Sequence, residues 1–332
     1  MPSIIIVNYN AGFHLRDCIQ TLPPDSDIII VDNASHDNSL SLVEALQHPN
    51  VRIIRNTTNL GFATACNIGA KASQADLLFF LNPDCRLEPN TIAELITALD
   101  SAPDIGMVGG LLLNPDGSEQ AGGRRSVPTP WRSFTRAFGL SKLLPRYFKD
   151  FNLHQHPLPT APLAVEAISG ACMLMKKSTF EQLGGWDEAY FLHCEDLDLC
   201  MRYRGAGYRI LFVPSARLTH DKGVCSQAQP LTVEWHKHRG MLRFYQKFFR
   251  HQYPGPFMWL VNLSVALRLS SIALYYSLKR VRTLIHEYRA NQRRYQPNRT
   301  LPAASTLESR SHCTQSNASR AALPTKPSVA NP

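Results

Sequence analysis

Four short apolar runs constrain this chain more than anything else in it: Ile4 to Val7, Ile28 to Val31, Val51 to Ile54 and Leu77 to Leu81. They are continuous rather than alternating, Val51 to Ile54 being interrupted only by Arg52, and a continuous run is the pattern of a strand buried on both faces. Stretches of helical composition lie between them, near Phe13 to Thr21, Ser39 to Gln47 and Ala63 to Ala72. This β-α-β-α order predicts an α/β fold with a single, mostly parallel central sheet flanked by helices. The ends of the runs carry a functional hint. The first closes on Asn8-Tyr9-Asn10, the second on Asp32-Asn33 and the fourth on Asn82-Pro83-Asp84. Open α/β sheets bind ligands beyond the carboxyl ends of their strands, so three polar ends predict one polar crevice.

What the chain lacks narrows the chemistry. No G-x-G-x-x-G follows the first run and no Walker A motif occurs, which disfavours a dinucleotide-dependent dehydrogenase and a P-loop ATPase while leaving nucleotide binding open. From Asp104 to Pro162 the pattern loosens. Met107 to Gly110 reads as a short strand, Asn114-Pro115-Asp116-Gly117 as a turn, and the Pro-, Arg- and aromatic-rich stretch around Trp131, Arg132, Phe134, Arg136 and Phe138 as a lid or binding loop. The sheet resumes at Ala171 to Met175 and Ile210 to Val213.

The 332 residues carry 35 Lys and Arg against 26 Asp and Glu, a formal charge of +9. The excess gathers at Arg124 to Lys149 and Arg239 to Arg299, and the second cluster adjoins the most apolar part of the chain. That juxtaposition predicts an anionic membrane surface as partner and no nucleic acid, for which no recognition motif is present. Leu231 to Arg250 reads as a basic, aromatic helix. Phe257 to Leu278 has the length of a bilayer span, yet Arg268 at its middle favours a helix lying in the interface, with a span or a packed protein contact as alternatives. From about Asn291 the Ser-, Pro- and Asn-rich composition predicts disorder. The domain reading is therefore 1–225 as the catalytic domain, 226–290 as a helical membrane-associating extension and 291–332 as a disordered tail. Eight cysteines without a C-x-x-C pair, and a start that enters a strand without a signal peptide, predict reduced thiols and work in the cytoplasm, at the inner face of the membrane.

The densest chemistry lies between Ala167 and His220. Gly184-Gly185-Trp186-Asp187 leads into Phe191-Leu192-His193-Cys194-Glu195-Asp196-Leu197-Asp198, and a further apolar run closes on Thr219-His220. Carboxylates held against apolar neighbours are the usual material of a catalytic base, because burial moves their proton affinity toward working pH.

Seven signatures, in order, resemble the family 2 glycosyltransferases of the GT-A fold, in particular their bacterial rhamnosyltransferase-like branch. They are Ile6 to Asn10; Val31 to Ser35 with Asp37 and Ser39; Asn59-Leu60-Gly61-Phe62-Ala63 with Asn67 and Gly69; Leu81 to Asp84; Gly184 to Glu188; Glu195-Asp196 with Asp198; and His220. The resemblance implies a GT-A domain and an inverting transfer of sugar from a nucleotide diphosphate to a hydroxyl of a glycan or lipid-linked acceptor, in cell-surface polysaccharide synthesis such as that of O-antigen. It places Asn8, Asp32, Asn59, Gly61, Asn67 and Asn82 at the donor nucleotide, with Asp32 accepting from a pyrimidine N3–H. It places Asp84 and His220 at a divalent cation, Mn2+ or Mg2+, the imidazole favouring Mn2+. Asn82 stands where the family's first D-x-D aspartate is found, which removes one carboxylate ligand. Asp196 takes the part of base with Glu195 beside it, Asp198 that of a helix-start charge, and Trp186 and Asp187 that of the acceptor wall. The branch implies dTDP-rhamnose as donor. A UDP-hexose or UDP-GlcNAc transferase, a nucleotide-sugar-binding protein without activity and a nucleotidyltransferase are the competing readings.

Overall fold

The computed structural model describes residues 1–137, 151–223 and 230–294. The four apolar runs form β1 (Ser3–Asn8), β2 (Asp27–Asp32), β3 (Val51–Arg55) and β4 (Leu77–Leu81), separated by α1 (Phe13–Gln20), α2 (Ser39–Glu44) and α3 (Phe62–Ala72). Then follow β5 (Cys85–Leu87), α4 (Thr91–Asp100), β6 (Ile105–Leu113), β7 (Arg124–Arg125), α5 (Pro130–Ala137), β8 (Leu163–Val165), β9 (Ala167–Ile168), β10 (Cys172–Lys176), α6 (Lys177–Gln182), α7 (Glu195–Gly205), β11 (Arg209–His220), α8 (Pro230–Phe249) and α9 (Gly255–Arg294). The main sheet runs β3-β2-β1-β4-β10-β6-β11-β5, with β8 on β11, and a small second sheet pairs β7 with β9. Strands β1, β2, β3 and β4 are parallel neighbours, as are β6 and β11, while β10 runs antiparallel between β4 and β6.

Burial on both faces follows from the alternation of side chains along a strand. Ile4, Ile6, Ile28, Ile30, Phe79 and Leu81 point to one side and pack with Leu15, Leu95 and Leu99 of α1 and α4. Ile5, Val7, Ile29, Val31, Leu78 and Phe80 point to the other. There they meet α3, α7 and, from far along the chain, Phe244, Tyr245 and Phe249 of α8 and Met258, Val261 and Val265 of α9. The basic aromatic helix thus belongs to the sheet's own core, and Met1–Arg280 form one compact unit. The second unit is Val281–Pro332, whose described part, 281–294, is helical.

Two regions differ from the sequence reading. The strand at Met107 to Gly110 extends over nine residues, all buried. Its glycine pair weakens the strand pattern for a packing reason: a Cβ on Gly110 would stand 2.4 Å from the carbonyl oxygen of Ala216. The stretch read as a loop, Asp104 to Pro162, contains β7 and α5 as well; residues 138–150, with Phe138, lie outside the described residues, as do Cys225, Cys313 and the tail from 295 on. The six described cysteines are free and buried.

Candidate active site

Three clusters assemble at the carboxyl edge of the sheet. The first is built by the register of β1 and β2, which sets Asn8 opposite Asp32. Asn8 Nδ2 donates to Asp32 Oδ1 at 2.7 Å and reaches the hydroxyls of Ser35 and Ser39 at 3.0 and 2.8 Å. Asp32 also accepts from the backbone N–H and the hydroxyl of Ser35, closing a turn after the strand. The neighbouring Asn33 donates to the carbonyl of Gly61 at 3.0 Å, and Asn59 Oδ1 accepts from the Gly61 N–H at 2.9 Å. Gly61 has φ 86°, and a Cβ there would lie 2.6 Å from the carbonyl oxygen of Phe191, so only glycine fits. The Phe62 N–H then donates to that same Phe191 oxygen at 2.8 Å. The Asn59–Phe62 loop is therefore tied directly to the loop that leads into Glu195-Asp196.

The second cluster comes from the antiparallel pairing of β5 and β11, which sets His220 opposite Cys85 and beside Asp84. Asp84 and His220 are both buried, and His220 Nε2 stands 3.2 Å from Asp84 Oδ1. Among the described residues, Asp84 Oδ1 nonetheless has no hydrogen-bond partner. Asn82 Nδ2 approaches Nε2 at 3.4 Å, and Gln120 Oε1 holds the opposite ring nitrogen, Nδ1, at 2.7 Å. A buried carboxylate oxygen without a partner, facing an imidazole nitrogen, is the donor set a divalent cation takes from oxygen and nitrogen ligands. The ligand atoms of Asp84, Cys85 and His220 lie within 4.8 Å of one another. The Cys85 thiol donates to the carbonyl of Ala171, and burial pushes its pKa well up, so Asp84 and His220 are the fitting pair.

The third cluster is at the start of α7. His193 and Cys194 both take left-handed backbone conformations, with φ 69° and 71°, a strained entry for two residues with side chains. Glu195 is 7% exposed and its Oε2 has no partner among the described residues. Burial, with Asp196 beside it, pushes its pKa up to about 8. Asp196 Oδ2 is paired with Arg125 of β7 and accepts from the Gly170 N–H at 3.2 Å. The next residue, Ala171, accepts from the Asn82 N–H at 3.1 Å, which ties the segment that holds Asp196 to the strand end that leads into Asp84. His193, nearby, is held down at about 4 by burial and by Lys237, and is neutral at working pH.

Three of the residues singled out in the sequence have other work. Trp186 is a core residue rather than an acceptor wall: it is 1% exposed and packs edge-on against Phe80 and Phe62 at 5.2 and 5.8 Å. Asp187 docks α8, bonding Arg243 at 2.9 Å and Lys247 at 2.7 Å; burial opposes its ionisation, but these bonds prevail and hold it at about 2. Asn67 ties α3 to the Trp186 turn: its amide donates to the Trp186 carbonyl and to Glu188 while its oxygen accepts from the Trp186 N–H. Asp198 is structural as read, but as a fully buried anion bonded to Arg202 and Lys247, both at 2.6 Å, rather than as an exposed helix-start charge. Sequence reasoning missed Arg125 and Gln120. Arg125 sat within a stretch read only for its net charge, and Gln120 followed a turn read only as a turn.

A mixed, mostly parallel sheet with a polar crevice at its carboxyl edge, flanked by helices and followed by a C-terminal helix, is the GT-A glycosyltransferase architecture. Solved structures agree at the level of fold: GalNAc-T7 with UDP, GalNAc and Mn2+ superposes with TM-score 0.53 at 19% identity, over 74% of this chain and 47% of that one. The mannosyltransferase PcManGT of Pyrobaculum calidifontis, with GDP-Man and Mn2+, gives 0.51 at 17% identity, over 87% and 79%. The chain belongs to glycosyl transferase family 2, whose pattern matches residues 3–184. It is 30% identical over 294 residues to the N-acetylglucosaminyl-diphospho-decaprenol L-rhamnosyltransferase of Mycobacterium tuberculosis, covering 84% of this chain and 94% of the relative. It is 24% identical to the rhamnosyltransferase WbbL of Escherichia coli K12, over 79% and 93%.

Proposed function

We propose that this glycosyltransferase moves L-rhamnose from dTDP-rhamnose, with inversion, to a hydroxyl of a lipid-linked glycan acceptor at the inner face of the cytoplasmic membrane. The observation that carries the catalytic reading is the bonding of Asp196 to Gly170, whose neighbour Ala171 is bonded to Asn82, two residues before the buried Asp84. The rhamnose rests on the two rhamnosyltransferase relatives, which this chain covers almost end to end, and the lipid-linked acceptor on the mycobacterial one. Asp32 and Asn8 receive the nucleoside, and the Asn59–Gly61 loop and Asn82 border the donor. Asp84 and His220 hold Mn2+ or Mg2+; when bound, such an ion offsets the charge that develops on the departing nucleoside diphosphate.

The protein's own groups do the rest. Asp196 takes the proton from the acceptor hydroxyl as that oxygen attacks the anomeric carbon on the face opposite the leaving group. Glu195, whose pKa burial and the neighbouring Asp196 push up to about 8, remains largely protonated at neutral pH. Arg125 orients the Asp196 carboxylate. A single base without a second catalytic carboxylate implies inversion, by analogy with inverting glycosidases. Incubation with dTDP-rhamnose and with UDP-sugars, scored for free nucleoside diphosphate against pyrophosphate, tests the reaction class and the donor together. In the same assay Asp196→Asn is expected to lose transfer while retaining nucleotide-sugar binding; near wild-type turnover in that variant rules Asp196 out as the base.

A further inference from the structure

The turn Asn114-Pro115-Asp116-Gly117, which the reaction does not use, lies at the root of the cation site. Its residues form a hydrogen-bond chain whose direction is readable from its ends. A carboxylate oxygen can only accept, and Asp116 Oδ1 receives the Ser118 hydroxyl at 2.6 Å. Ser118 Oγ therefore accepts from Asn114 Nδ2 at 2.9 Å, which turns Asn114 Oδ1 toward Gln120. Gln120 Nε2 donates to that oxygen at 3.0 Å and to the backbone carbonyl of His220, also at 3.0 Å. With both its hydrogens committed to carbonyls, the Gln120 amide has one orientation. Its Oε1 faces His220 Nδ1 at 2.7 Å, and an oxygen without hydrogen at that distance requires an N–H on the ring. On the ring's other side, Nε2 lies 3.2 Å from Asp84 Oδ1 without a hydrogen bond between them.

We infer that Gln120 is a positioning residue of the cation site: its Oε1 holds a ring N–H of His220 at Nδ1 and so leaves Nε2, beside Asp84, to face a divalent ion. This rests on the cation reading of Asp84 and His220. The physical issue is a competition for a single proton. A carboxylate is a stronger acceptor than an amide, so without Gln120 the proton belongs on Nε2, bonded to Asp84 Oδ1. The two ligand atoms would then satisfy each other, and an entering cation would have to break that bond. Gln120 is 4% exposed and His220 6%, so water does not stand in readily for the lost acceptor.

The test separates the proton's position from metal binding. Long-range 1H–15N spectra of the metal-free protein at pH 8, with the His220 signals assigned by their loss in His220→Asn, read the tautomer directly. The wild type is expected to show Nδ1–H. Gln120→Met, close in shape but without an acceptor, is expected to show Nε2–H and to bind Mn2+ about 10–100-fold more weakly, the usual cost of losing such an outer partner. Gln120→Glu, which keeps an oxygen against Nδ1, is expected to restore the wild-type tautomer. Nε2–H in the wild type, or an unchanged tautomer in a folded Gln120→Met, overturns the inference. An Nδ1–H wild type that binds no Mn2+ overturns the cation reading and leaves the tautomer assignment standing.

Discussion

At the scale of single residues, the pair Glu195 and Asp196 shows how one position along a helix separates two carboxylates. Asp196 reaches Arg125 and the Gly170 N–H, whereas Glu195 turns into the core, where Oε2 meets no donor among the described residues. The ordinary carboxyl value of 4.5 is thereby raised to about 8, first by burial and then by Asp196. Between these values the folded chain holds a proton that the unfolded chain has released. Stability contributed by this group therefore falls as pH rises from about 4.5 through about 8, and the full cost stands above that. Glu195→Gln removes the titration. Its melting temperature relative to wild type is expected to be more favourable at pH 9 than at pH 5; an equal difference at both, by differential scanning calorimetry, would show that Glu195 is not the group responsible.

At the scale of elements, α8 fastens α7 to the turn at Gly184–Asp187. Lys247 bonds Asp187 at 2.7 Å and Asp198 at 2.6 Å, and Arg243 adds a second bond to Asp187. Phe191 stacks on His236 of the same helix with ring centroids 4.1 Å apart. The loop that enters the candidate base is thus backed by a helix from well beyond His220. Lys247→Met leaves Asp198, fully buried, with Arg202 as its one remaining charged partner among the described residues. A loss of about 2 kcal/mol in urea unfolding is expected, less than the about 3–5 for a fully buried pair because the Lys247 side chain is a third exposed. Turnover is expected to fall with it, since α7 carries Glu195 and Asp196.

At the scale of the whole molecule, α9 is long and apolar enough over Gly255–Arg289 to cross a membrane by length and composition. Its Met258, Val261 and Val265 nevertheless sit in the core under the sheet, and a span would have to strip them from it. Trp259, Leu263, Leu267, Leu274, Tyr275 and Leu278 face outward. With Arg268, Lys279 and Arg280 on the same helix, this pattern supports a helix lying in the headgroup region of an anionic leaflet, in keeping with a lipid-linked acceptor. The full chain is expected to float with vesicles containing anionic lipid and to be released by alkaline carbonate. Leu267→Glu combined with Leu274→Glu, both exposed positions, is expected to abolish flotation without unfolding the protein. Resistance to carbonate extraction would favour a span instead.

The sequence alone determined β1, β2, β4 and their polar ends, because an unbroken apolar run flanked by polar turns is a local signal that burial on two faces imposes residue by residue. The family resemblance also pointed to Asp84, Glu195, Asp196 and His220 as candidate site residues. Only the tertiary structure decided which neighbours those groups would have. Trp186 and Asp187 looked like site residues and pack or dock instead, because what they touch lies on α3, on α8 or in the core. Arg125 and Gln120 looked like nothing and became the partners of Asp196 and His220. Their roles arise from strand pairings between distant segments, β7 with β9 and the β6 end with β11, and proximity of that kind leaves no trace in local composition.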